Sequence, residues 1–268
     1  MAYKLQHMGL GGILDQAIAI TKDHFVLLYT IMLILVVPFN LVMGFVKLAV
    51  TQPLPPNPTF QDIMQANQSN SEYAPLITIV GIVYSLLIAP LANAAVIHAV
   101  ARLYLEEPVT ALGAIKFGAV RYLPLIGTSF LMYMAIFGGM ILCIIPGILF
   151  ALWFGFSQHV VVVEGIAGTA ALKRSKKLVR PYLGTFLVLG MIVGVISLAI
   201  AAIVWFIPEP HVKVVVTSLL QGVTYVVGTA AGVVFYFSCR CAVENFDLQY
   251  LAQSIGSEPP AGDMGVAR

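Results

Sequence analysis

Leu183-Gly-Thr-Phe-Leu-Val-Leu-Gly-Met-Ile-Val-Gly-Val-Ile-Ser-Leu-Ala-Ile-Ala-Ala-Ile-Val-Trp-Phe-Ile207 carries no charged side chain. As an α-helix it would be about 37 Å long at roughly 1.5 Å per residue. Roughly 20 apolar residues cross the hydrocarbon core of a bilayer. A water-soluble fold has nowhere to hide such a stretch, so the residues read as a transmembrane helix. Pro208-Glu209-Pro210 stops it.

Working outward, similar stretches recur: about Phe25–Val50, Pro75–Leu105, Tyr122–Ile145, Ile148–Val163 and Val214–Ser238. Together with 183–207 they predict an all-α polytopic bundle of about six spans. Composition agrees: 60% of the 268 residues are hydrophobic and 10% charged, against about 25% charged in soluble domains. No alternating pattern of a β-barrel is present. Residues 51–74, rich in Pro and polar side chains and without Lys or Arg, read as a loop. Pro146-Gly147 reads as the tight turn between the third and fourth spans. The fourth, Ile148–Val163, is short: its 16 residues reach about 24 Å. A single transmembrane domain is expected over residues 1–253, with a disordered cytoplasmic tail over 254–268.

Orientation follows from the cations. Lys4, Lys22, Arg102, Lys116, Arg121, Lys173, Arg174, Lys176, Lys177, Arg180, Arg240 and Arg268, 12 of the 14 Lys and Arg, fall on the side of the N-terminus. Lys47 and Lys213 fall on the other. The positive-inside rule puts both termini in the cytoplasm. The first residues lack the basic patch and apolar core of a cleaved signal peptide. The three cysteines, Cys143, Cys239 and Cys241, suggest neither a disulfide framework nor a zinc site.

A pattern recurs three times: an amphipathic stretch, an aromatic residue, then a helical hairpin. The copies begin at Ile13–Phe25, Ala111–Tyr122 and Ala170–Tyr182, and predict repeats over 10–105, 109–163 and 165–240. In the third, Ala171, Leu172, Ser175, Leu178, Val179 and Tyr182 share one helical face. Lys173, Arg174, Lys176 and Lys177 take the others. Such short helices would lie in the cytoplasmic interface, basic side toward anionic lipid headgroups.

Glu164 stands where the fourth span meets the cytoplasm. A carboxylate at that depth takes a partner, and Lys173, Arg174 and Arg180 are the candidates. The group is read either as a headgroup or ion site, or as a structural ion pair tethering the following helix. Asn93, His98 and Arg102 form an intramembrane polar set near the end of the second span. Asn93 should hydrogen-bond another helix. His98 is read as a packing histidine or a proton site, and Arg102 can snorkel. Gln158 and His159 add polar groups to the fourth span, and short polar spans can mark transporter sites. Gly190-x-x-x-Gly194 and Gly228-x-x-x-Gly232 allow close helix approach, within the chain or in a dimer. No metalloprotease, Walker A or dinucleotide motif is present. Gly155-x-Ser157-x-His159 has no second catalytic element beside it. Neither a cofactor, a metal nor a nucleic-acid partner is expected.

The run Ile145-Pro146-Gly147, Val161-Val162-Val163-Glu164-Gly165, Ala171-Leu172-Lys173-Arg174-Ser175 and Leu178-Val179-Arg180 resembles a known pattern. So does Glu107-Pro108-Val109 followed by Ala114. They are similar to the membrane domain associated with some bacterial glycerophosphoryl diester phosphodiesterases and to its stand-alone relatives. The motif-rich part covers about residues 105–185. The resemblance implies a bacterial inner-membrane protein of several helices. It brings no catalysis, since in the fusion proteins the phosphodiesterase is a separate soluble barrel. The expected function is a non-enzymatic membrane protein that binds lipid or supports an envelope process, with a protein partner as a further option. The alternative is a small transporter or lipid-translocating protein.

Overall fold

In the computed structural model the described residues are 5–50, 59–248 and 250, without the side chains of 62, 63 and 65–72. The expected tail over 254–268 lies outside them. The chain is all-helical over these residues: α1 (Leu10–Asp23), α2 (Phe25–Leu35), α3 (Val37–Val50), α4 (Phe60–Tyr104), α5 (Ala111–Val120), α6 (Tyr122–Leu142), α7 (Ile144–Phe154), α8 (Ser157–Val163), α9 (Gly168–Val179), α10 (Leu183–Trp205) and α11 (Pro210–Glu244). Among the described residues five helical runs are long and apolar enough to cross a membrane. The bent pair α1–α2 makes up to six.

The outside of the bundle is apolar. Leu123 is 81% exposed, Ile141 71% and Leu198 71%. Meanwhile the side chains of Glu164 and Arg174 are only 11% and 18% exposed. Water would select the reverse arrangement, so the surrounding medium is hydrocarbon. This is a multi-pass membrane protein. Its central helix is α11, buried at Val226, Ala230, Ala231 and from Val233 through Cys239. Buried alanines of α4 at 92, 94, 95 and 99 let neighbouring helices come close.

Four expectations change. Residues 60–74, read as loop, form the first turns of α4. The Pro cluster ends at Pro58, and the Gln, Met, Ala and Glu that follow are good helix formers. The turn between the third and fourth spans falls on Cys143, whose backbone is extended (φ −172°, ψ 156°). Pro146 sits instead in the first turn of α7, where its missing N–H removes no helical bond. Gly147 packs against α6, its Cα 3.1 Å from where a Cβ on Gly139 would stand. The fourth span is therefore 20 residues, Ile144–Val163, about the length of the core at roughly 1.5 Å per residue. Finally, the first apolar stretch is divided at Val36 into α2 and α3, two residues before Pro38, which cannot donate into the helix.

The short helices α1, α5 and α9 each precede an apolar pair. The joints that follow them share a backbone conformation: His24 (φ −123°, ψ 26°), Arg121 (−94°, 18°) and Tyr182 (−121°, 24°). The structural register thus places Phe25 and Tyr122 opposite Leu183, one residue from the aromatic of the third copy. Packing follows a cycle. Helix α5 lies on α4, α9 on α8 as well as α6 and α7, and α1 on α11. Each short helix therefore packs on the preceding unit, and the first closes onto the last. Helix α1 meets α2 at 80°. Helix α9 runs on through a 3-10 turn, Arg180–Tyr182, into α10. That run of 38 residues exceeds the hydrocarbon thickness by far, so its polar first third projects beyond it.

Candidate functional site

The basic end of the bundle gathers the ends of α4, α8 and α11, the start of α9 and the N-terminal segment. Met8 N–H donates to Ser238 Oγ at 3.0 Å, and Tyr250 Oη to the Leu105 carbonyl at 3.2 Å.

Helix α8 is held at both ends by adjacent residues of α9. At its start, the break between α7 and α8 frees backbone groups that a continuous helix would pair. Ser175 Oγ donates to the Trp153 carbonyl at 2.7 Å and accepts from Phe156 N–H at 3.1 Å, bridging the break. At its end, Arg174 Nε donates to Glu164 Oε2 at 2.8 Å and Nη2 to Oε1 at 3.1 Å. The same guanidinium donates to Glu244 of α11, with Nη2 2.7 Å from Oε2. Tyr236 Oη donates to Glu164. Arg240 stands 3.8 Å from Glu164, 3.6 Å from Glu244 and over the Phe246 ring at 4.0 Å. The Glu244 carboxylate, and after it Glu164, holds the Arg174 guanidinium above its ordinary pKa against the cost of burial.

Two carboxylates thus face two guanidiniums, and the charge closes without an external ion. Of the predicted partners Arg174 alone reaches Glu164. Lys173 and Arg180 are exposed, so this cluster does not bring them together. Arg240, Glu244 and Tyr236 were not legible from the sequence. Only the i, i+4 spacing of 236, 240 and 244 on one face of a helix could have suggested them.

Between α8 and α9 the chain turns through Gly165 (φ 74°) and Gly168 (φ 67°). Gly168 N–H donates to Thr128 Oγ1 at 2.8 Å. Arg121 Nη1 donates to the Val161 carbonyl at 3.2 Å, one of the free acceptors at the end of α8.

Deeper in the bundle, Asn93 Nδ2 donates to Gln158 Oε1, and Gln158 Nε2 to Ser129 Oγ at 2.9 Å. This chain of amides joins α4, α8 and α6 within the apolar interior, where an unpaired amide is costly. His159 stacks toward Tyr236 at 5.8 Å and edge-on to Phe156 at 5.3 Å. Its Nε2 lies 3.1 Å from where a Cβ on Gly232 would stand, so Gly232 is the space the ring occupies. Gly228 faces Val193 of α10, whereas Gly190 and Gly194 have nothing within 4 Å.

Two cavities stand out among the described residues. One, of about 750 Å³, opens at the basic end between the last turns of α4 and α5. His98 and Arg102 line it from α4, one turn apart, with Lys116, Phe117 and Arg121 opposite. The His98 ring stacks on Phe117 at 3.8 Å, and the Arg121 guanidinium lies 5.1 Å from the same ring. Arg102 pairs with Glu107, both side chains well exposed. Lys116 has no ion pair among the described residues. The other cavity, of about 790 Å³, lies between α4, α10 and α11 toward the opposite end. Asn93, Gln158 and His159 line neither. The transporter alternative rests on a short fourth span, on Glu164 and on the repeated hairpins, and it expects a polar cavity that contains one of those three residues. The span is of full length, and Asn93 donates to Gln158, which donates onward to Ser129.

Comparison with protein-family models, with curated proteins and with solved structures finds no match to this chain.

Proposed function

We propose that this membrane protein is a non-enzymatic lipid-binding module of the bacterial inner membrane, with both termini cytoplasmic. Its site is the cavity between α4 and α5, which takes the phosphate of an anionic phospholipid. One observation carries the reading. Arg102, Lys116 and Arg121, with His98 below them, surround a cavity at the headgroup level, and the one carboxylate paired there is Glu107. Surplus positive charge at that depth is matched by a phosphodiester. Phe117 and Val120 supply an apolar wall for the glycerol and upper chain. The Glu164–Arg174 cluster serves as the structural tether instead, since its charges already balance.

A thermal-unfolding titration in detergent tests this. A ligand that binds only the folded state raises Tm by mass action. Phosphatidylglycerol should raise Tm more than phosphatidylcholine, and the double variant Arg102→Gln/Lys116→Gln should narrow that difference. An equal response to both lipids in the unaltered protein would remove the reading.

A further inference from the structure

The second cavity is a groove with a different chemistry. Val193, Ser197 and Val204 of α10 face Thr217, Gln221 and Gly228 of α11 across it. These positions recur every three to four residues or so on each helix, so the two helix faces line the groove between them and close together where Val193 meets Gly228. Ala89 and Ala92 of α4 form the back wall. The groove volume, about 790 Å³, falls in the range of roughly 300–1,000 Å³ that holds small ligands.

Several of its polar side chains are already paired. Ser197 Oγ donates to the Val193 carbonyl at 2.9 Å, and Thr224 Oγ1 to the Leu220 carbonyl at 3.1 Å. Gln221 accepts from Asn40 at 3.4 Å. What they leave facing the groove is chiefly methyl and methylene surface. The one cation is Lys213, half-buried at the outer mouth. Its Nζ donates to the Trp205 carbonyl at 3.4 Å and lies 5.3 Å from the indole ring. Glu209, one turn earlier, makes no ion pair with it among the described residues. From Lys213 to Gly228 the groove follows α11 for about 22 Å at roughly 1.5 Å per residue. That exceeds the depth of one leaflet, about half of the roughly 30 Å core.

We infer that this groove holds one acyl chain of an anionic phospholipid from the leaflet opposite the basic end, with its phosphate on Lys213. An apolar slot longer than a leaflet, ending in one half-buried cation at headgroup level, matches an amphiphile with a negative head. The site is separate from the α4–α5 cavity and stands or falls independently of it.

The test uses the full chain in nanodiscs containing a phosphatidylglycerol with a diazirine in one acyl chain, and its phosphatidylcholine counterpart. Photolabelled residues are mapped by peptide mass spectrometry. Label should concentrate on the groove faces of α10 and α11, with phosphatidylglycerol favoured about fivefold, the weight of one Lys near an anionic lipid. Lys213→Gln should abolish that preference, and Lys116→Gln should leave it intact. Ser197→Leu/Ala201→Leu, which fills the groove, should cut labelling there. Label spread evenly over the lipid-facing Val195, Leu198 and Ile203 would overturn the inference. So would a phosphatidylglycerol preference that survives Lys213→Gln.

Discussion

The guanidinium of Arg174 lies against the carboxylate of Glu164 in a two-point contact, Nε to Oε2 at 2.8 Å and Nη2 to Oε1 at 3.1 Å. The pair joins α9 to the end of α8, and both side chains are less than one-fifth exposed. Removing one member of such a pair leaves the other charge uncompensated. Glu164→Gln should lower stability by about 3–5 kcal/mol, read as a fall in Tm in detergent. Arg174→Gln should act similarly. The double variant should cost clearly less than the sum, with a coupling of about 1–3 kcal/mol. Additive losses would show that the contact contributes nothing of its own.

Gly165 and Gly168 separate two costs. Both have left-handed backbones, but a Cβ on Gly165 would stand 2.8 Å from Arg121 Nη1, and one on Gly168 meets nothing within 4 Å. Gly168→Ala should therefore cost only the backbone strain, about 1 kcal/mol. Gly165→Ala should cost more, because Arg121 must also leave the Val161 carbonyl. Equal shifts in Tm for the two variants would contradict the placement of Arg121.

Ser175→Ala removes the hydroxyl that bridges the α7–α8 break. It leaves the Trp153 carbonyl and the Phe156 N–H without that partner at a buried site. Each lost partner costs about 1–3 kcal/mol. Hydrogen exchange at the Phe156 amide should accelerate markedly, well beyond any change in α10. Unchanged protection there would mean the break is held by other contacts.

Much of the architecture was legible because the bilayer imposes one strong rule: long runs without charge must be helices that cross it. Residues 183–207 needed nothing more. The α4 boundary was obscured because uncharged polar residues such as Gln61 and Gln65 suit a loop and a helix alike. Pro146 misled because the same residue marks a turn or a helix start, and only the backbone of Cys143 decides. At the candidate site Glu164 stood out as a lone carboxylate after four valines. Its partners on α11, Tyr236 and Arg240, did not, since Tyr236 is 72 residues away and no local period links them to Glu164. Asn93 and Gln158 were each visible as amides in apolar surroundings, but their pairing is a tertiary fact. Lys116 looked like one of many cations on the interfacial helices, and Lys213 like an ordinary loop-side cation. Only the cavities beside them distinguish them.

The proposed orientation puts the α8–α9 connection in the cytoplasm and the α10–α11 connection outside. In a Cys143→Ser background, a membrane-impermeant thiol reagent added to intact cells should label Glu209→Cys and spare Lys177→Cys. Both positions are exposed, so access depends on sidedness. Labelling of Lys177→Cys alone would invert the topology and with it the leaflet of each proposed lipid site.

The most direct test is native mass spectrometry of the protein released from nanodiscs that mix phosphatidylglycerol and phosphatidylcholine equally. The account predicts retained phosphatidylglycerol adducts. In a Lys213→Gln background, Arg102→Gln and Lys116→Gln should each weaken retention by about fivefold, as expected for one cation per phosphate contact. Lys173→Gln, exposed and outside both cavities, should leave it unchanged. A chain that emerges bare, or whose adducts are indifferent to Arg102 and Lys116, would contradict lipid binding at the α4–α5 cavity.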